Sequence, residues 1–183
     1  MQKNLLVLAV AFAGVTLAAC GDDDTSSPAP VSKILNFTAT MTPAGEPGNL
    51  NGNPTGSGTF TATLDTSTNV FTWTSSFSGL TSNINNGHIH GPFPAGQTTP
   101  TSASVILNFN PTATPGATFT GLNSATSGST TGTVTLNSSY QPSTTVNGDS
   151  LRKLILAGAV YVNIHTVSNT GGEIRGQLTR KLP

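Results

Sequence analysis

The sequence predicts an all-β fold: an antiparallel β-sandwich or Greek-key barrel with one short helix before the penultimate strand. Three observations predict it. Thr is the commonest residue, and Thr favours pleated, half-exposed surfaces. Apolar residues alternate with polar ones at period two, the spacing of a strand with one buried face. Gly (20 residues) and Pro (12 residues) cluster with Asn and Ser between these runs and supply the turns.

The predicted strands follow in order. Leu35-Asn36-Phe37-Thr38-Ala39-Thr40-Met41, Phe60-Thr61-Ala62-Thr63-Leu64 and Phe71-Thr72-Trp73-Thr74 alternate strictly. Thr66-Ser67-Thr68-Asn69 reads as a hairpin connection between the second and third. Further strands are expected at 83–90, 103–109, 117–122, 132–138, 159–166 and 173–180. Residues 42–57 and 110–131 read as long surface loops. Leu151, Leu154 and Ile155 recur at helical spacing, with Asp149 or Ser150 as N-cap and Gly158 as a stop, so 150–157 is expected to be helical. Trp73 and the phenylalanines are expected in the core.

Three segments are expected along the chain. Residues 1–19 read as a lipoprotein signal peptide, with Lys3 as its basic start and Leu5 to Ala19 as a short apolar stretch. The run Leu17-Ala18-Ala19-Cys20 resembles the lipobox of bacterial lipoproteins. That resemblance implies cleavage before Cys20 and a lipid on its sulfur. Cys20 is the sole cysteine, so no internal disulfide can form. Residues 20–32 are the lipidated Cys and a polar, Pro-containing tether, and residues 33–183 form one β domain. The expected location is the bacterial cell envelope, lipid-anchored and facing periplasm or exterior.

Charge excludes one class of partner. From Lys33 onward the cations are Lys33, Arg152, Lys153, Arg175, Arg180 and Lys181, and the anions Glu46, Asp65, Asp149 and Glu173. No basic patch of the kind nucleic acids require is present. Hydrolysis has no support either, since no Gly-x-Ser-x-Gly elbow occurs and the acids are scattered.

The chemistry-bearing residues concentrate in two blocks. They are Gly87-His88-Ile89-His90-Gly91, and Tyr161-Val162-Asn163-Ile164-His165-Thr166 with Gly172-Glu173-Ile174-Arg175-Gly176-Gln177-Leu178. Side chains two apart share a strand face. Ile89 therefore leaves His88 and His90 together on the other face. Val160, Val162 and Ile164 leave Tyr161, Asn163 and His165 opposite them, and Ile174 and Leu178 do the same for Glu173, Arg175 and Gln177. A hairpin through residues 166–172 would pair Asn163 with Arg175, Tyr161 with Gln177 and His165 with Glu173. The product is an outward-facing polar patch.

Two uses of the patch stay open. Asn163, Arg175 and Glu173 can hydrogen-bond loop backbone, with the histidines donating to carbonyls. Alternatively, His88, His90 and His165 can ligate one ion. Neutral imidazole suits copper or zinc, three nitrogens leave an open position, and Glu173 or Asn163 can orient a ring.

The same blocks resemble the CHRD domain, the module first recognised in chordin. The matching residues are Glu46-Pro47, Ser78-Gly79-Leu80-Thr81, His88-Ile89-His90-Gly91-Pro92 and the two C-terminal runs just quoted, covering Ile34 to Leu178. The resemblance implies a β-rich extracytoplasmic binding or structural module, since the family's animal members take part in extracellular growth-factor binding. It implies an unidentified extracellular or periplasmic protein or ligand as partner, beside the membrane reached through the lipid. It implies no reaction.

Overall fold

The computed structural model describes residues 33–97 and 101–182. The expected signal peptide, Cys20 and the tether lie outside the described residues. Ten strands and one α-helix form two antiparallel sheets packed face to face. The strands are β1 (Ile34–Met41), β2 (Ser57–Asp65), β3 (Val70–Ser78), β4 (Ile84–His90), β5 (Val105–Asn108), β6 (Thr118–Thr120), β7 (Gly128–Thr135), β8 (Tyr161–Thr166), β9 (Ile174–Gln177) and β10 (Thr179–Lys181). The helix α1 spans Gly148–Leu156. The larger sheet has the order β10-β1-β2-β3-β7-β6, and the smaller β5-β4-β8-β9. Of the two expected architectures, the sandwich is the one formed.

Alternation builds the core. In β1 to β3 every second side chain is buried, including Phe37, Phe60, Phe71, Trp73 and Phe77. Ile89, Val162, Ile164 and Ile174 meet them from the smaller sheet. The Phe109 ring, just past β5, bridges the layers at 5.6 Å from Phe60 and 5.7 Å from Trp73. Burying side chains of this size contributes roughly 1.5–3 kcal/mol each. Gly132 pairs with Trp73 across β7 and β3, and a Cβ there would run into the indole ring. The edge strands β6 and β10 have 3 residues each, which limits unpaired backbone at the sheet margins.

Four expectations change. The run 173–180 is two strands, because the chain leaves the smaller sheet at buried Leu178 and joins β1 of the larger. The helix therefore precedes the third strand from the end. It starts earlier than expected and is capped by Asn147, whose side chain accepts from the Ser150 N–H at 2.9 Å, in place of Asp149 or Ser150. Gly158, at φ +65°, ends it as expected. Finally, the start of β7 at Gly128 lies within 110–131, read as a loop, while β6 falls inside the strand expected at 117–122. Thr118 and Thr131 face outward from this ladder, with their hydroxyls 2.8 Å apart.

Candidate functional site

The site lies on the outer face of the smaller sheet, where β4, β8 and β9 run side by side. The register places His88 opposite Asn163 and His90 opposite Tyr161, while His165 faces Asn86 across a local irregularity. On the other side Asn163 pairs with Arg175 and Tyr161 with Gln177, as read from the sequence, but the ladder ends at Ile164 with Ile174, short of the expected His165–Glu173 pair. Alternation thus brings His88, His90, His165, Asn163, Tyr161 and Arg175 together.

The patch faces away from the core, but it is not open to solvent. His90 and His165 are each 7% exposed, His88 8%, Arg175 4% and Asn163 1%. Loops cover them. Thr101 and Ala103 come from the segment after β4, Thr170 from the β8–β9 hairpin, Glu46 from the loop after β1, and Phe93 from beyond β4. Gly172 lets two of these layers meet. Its φ is +128°, and a Cβ there would strike the Glu46 carboxylate and the Asn163 amide.

The loops fix the imidazole protons. A carbonyl oxygen only accepts, so the ring nitrogen facing it carries hydrogen. His90 Nδ1 donates to Ala103 O at 2.8 Å, and His165 Nδ1 donates to Thr170 O at 2.8 Å. The Nε2 atoms of both neutral rings are therefore lone pairs. His165 Nε2 lies 2.9 Å from His88 Nδ1, which must donate, and 3.0 Å from Asn163 Oδ1. His90 Nε2 is buried and has no hydrogen-bond partner. One nitrogen from each histidine falls within 4.8 Å of the others.

Burial keeps the rings neutral. It holds His88 down to about 3, helped by His165 and His90, and His90 down to about 4 against the opposing bond to Ala103. His165 is lowered for the same first reason, desolvation. Glu46 moves the other way. Burial pushes its carboxyl up to about 7, although the Asn163 amide (3.2 Å) and Arg175 favour its charge.

Arg175 forms the far wall. Its Cζ lies 3.3 Å from the Tyr161 ring centroid and 4.4 Å from that of Phe93. Tyr161 in turn stacks on His90, with ring centroids 4.8 Å apart and planes at 4°. Arg175 Nη1 donates to Thr101 O at 3.1 Å, while Nη2 is buried with no hydrogen-bond partner.

Glu173 does not join the histidines. Its carboxylate accepts from Thr81 N (2.7 Å), Thr81 Oγ1 (2.6 Å), Thr166 Oγ1 (2.6 Å) and Asn169 Nδ2 (3.0 Å). Burial alone would raise its pKa, but these donors outweigh burial and hold it below the usual value. It clasps the segment after β3 to the β8–β9 hairpin. Glu46, absent from the sequence-read patch, takes the place beside Asn163. It stands 117 residues away in the chain, so no spacing could place it there.

Fold and site together define an all-β sandwich with a loop-covered histidine cluster on the outer face of its smaller sheet. The chain belongs to the CHRD domain family, with residues 37–178 matching the CHRD domain. No curated protein and no solved structure matches the chain significantly.

Proposed function

We propose that the chain is an extracytoplasmic binding or structural module of the bacterial cell envelope, tethered by a lipid on Cys20. The observation that carries this reading is the CHRD domain, which occupies residues 37–178 and thus nearly the whole β domain. The lipobox-like Leu17-Ala18-Ala19-Cys20 and the polar stretch behind it support the anchor. Covering loops carry the ligand contacts in this reading, because loops on a rigid sheet can vary without disturbing the core.

Cell fractionation with mass spectrometry tests it. The wild-type chain should sediment with membranes and carry acyl mass on an N-terminal Cys20. The Cys20→Ser variant should lose the acyl mass and leave the membrane fraction. Equal sedimentation of both, or a mature chain that begins elsewhere and lacks lipid, would overturn the anchored reading.

A further inference from the structure

We propose that His88, His90 and His165 bind a single copper ion in its monovalent state. This site does not depend on where the protein is anchored.

The first argument is a shortage of protons. His90 Nε2, His165 Nε2 and Asn163 Oδ1 are all acceptors, and the Glu46 carboxylate fixes the Asn163 amide by taking its N–H₂. Only His88 Nδ1–H is available to them, and it serves His165. The contact of 3.0 Å between His165 Nε2 and Asn163 Oδ1 sets two lone pairs against each other. His90 Nε2 is left buried without a partner, on a side chain more than nine-tenths buried. An unfilled buried acceptor is costly, on the order of 1–3 kcal/mol. A cation among the histidine nitrogens takes up both ring lone pairs at once.

Orientation is the second argument. His90 and His165 are each held by a backbone carbonyl on Nδ1, the arrangement that aims Nε2 at a metal and raises its basicity. The cluster is compact, within 4.8 Å, and covered by loops. Binding through His88 Nδ1 needs its proton to leave that atom. The other ring nitrogen takes a proton in exchange, so the imidazole stays neutral.

Coordination number selects the ion. No Cys, Asp or Glu joins the three-histidine group among the described residues. The Arg175 guanidinium, packed on Tyr161, is offset by the Glu46 carboxylate behind Asn163, so neither charge decides between ions. Imidazole suits both copper and zinc, but zinc on three histidines needs a water as its fourth ligand, which the covering loops oppose, whereas monovalent copper is satisfied by three.

The experiment uses the untagged full chain with Cys20→Ser in every sample, which removes the competing thiol. Cu(I) is titrated anaerobically against a chromogenic chelator, Zn(II) separately, and thermal melts follow each. One Cu(I) per chain is expected, with a raised Tm. His90→Gln and His165→Gln should each weaken it about 100-fold or more, with emission from buried Trp73 reporting that they are folded. X-ray absorption on the copper-loaded parent chain should show three nitrogen ligands at about 2 Å, a readout that survives if the variants do not fold. No Cu(I) binding, equal binding by folded variants, or displacement of Cu(I) by stoichiometric zinc would overturn the proposal.

Discussion

The outer faces of the two sheets are both polar in sequence and have opposite fates. On the larger sheet one rung runs Thr179, Thr38, Thr61, Thr74, Thr131, Thr118 across all six strands. Its hydroxyls bond to neighbours, as in Thr118 with Thr131 at 2.8 Å, and most of the rung is exposed. On the smaller sheet the equivalent positions hold His, Asn, Tyr and Arg, and all are buried under loops. Threonine satisfies its hydroxyl locally and needs no cover. Imidazole, amide and guanidinium groups present several directed donors and acceptors, and loop carbonyls answer them. Strand alternation decides which face a side chain takes. The polar residue type and the loops overhead decide whether that face is wet.

The largest test of this contrast is Glu173→Ala. Removing a fully buried carboxylate strands the Thr81 N–H, two hydroxyls and the Asn169 amide. Urea unfolding should register a loss of about 3–5 kcal/mol, since each buried donor left unpaired costs about 1–3 kcal/mol. A loss below about 1 kcal/mol would mean the clasp contributes little.

Above the carboxylate range, acid should act through the covered histidines. His88 and His90 have folded values of about 3 and 4, below the ordinary 6.5. The unfolded metal-free chain therefore binds more protons as pH falls, and stability drops from about pH 6.5 downward, by several kcal/mol in order of magnitude. Glu46 opposes this. Its folded value of about 7 exceeds 4.5, so its protonation favours the fold as pH falls through that window. Unfolding free energies of Glu46→Gln, measured from pH 7 to 4.5, should therefore fall more steeply than those of wild type. An unchanged slope would remove Glu46 from the cluster's proton balance.

Gly172→Ala should cost about 2 kcal/mol, since the new Cβ meets Glu46 and Asn163 at a backbone angle that side chains resist. Chemical denaturation reads it directly, and a neutral result would show that the Glu46 loop can give way. At the far end of the scale, Thr74→Val on the open rung should stay within about 0.5 kcal/mol. A larger loss in the melt would show that the hydroxyl ladder stabilises the sheet.

Much of this was legible in the chain. Strict alternation in 35–41, 60–64 and 71–74 marked strands, and the two signature blocks placed His88, His90, His165, Asn163 and Arg175 on one face. The hairpin register followed because a slip of one residue would have exposed Ile174 and Leu178. Other features were not local. Glu46 reaches Asn163 only because the β1 loop folds across β9, with Thr42 bridging Arg175. The break at Leu178 was hidden because leaving one sheet for another preserves the alternation. Glu173 followed the expected chain position but turned to Thr81, 92 residues earlier, a contact no local spacing could announce. Burial of the patch depended on loops whose composition says turn and nothing about what the turn covers.

The crossing at Leu178 has a consequence for the order of assembly. Thr179 Oγ1 donates to Thr38 O, 141 positions earlier, and β10 pairs with β1. The first strand of the domain thus waits for β10 before its outer neighbour exists. Contacts of such long sequence separation slow folding. The larger sheet is therefore completed only once Thr179 to Lys181 have left the ribosome.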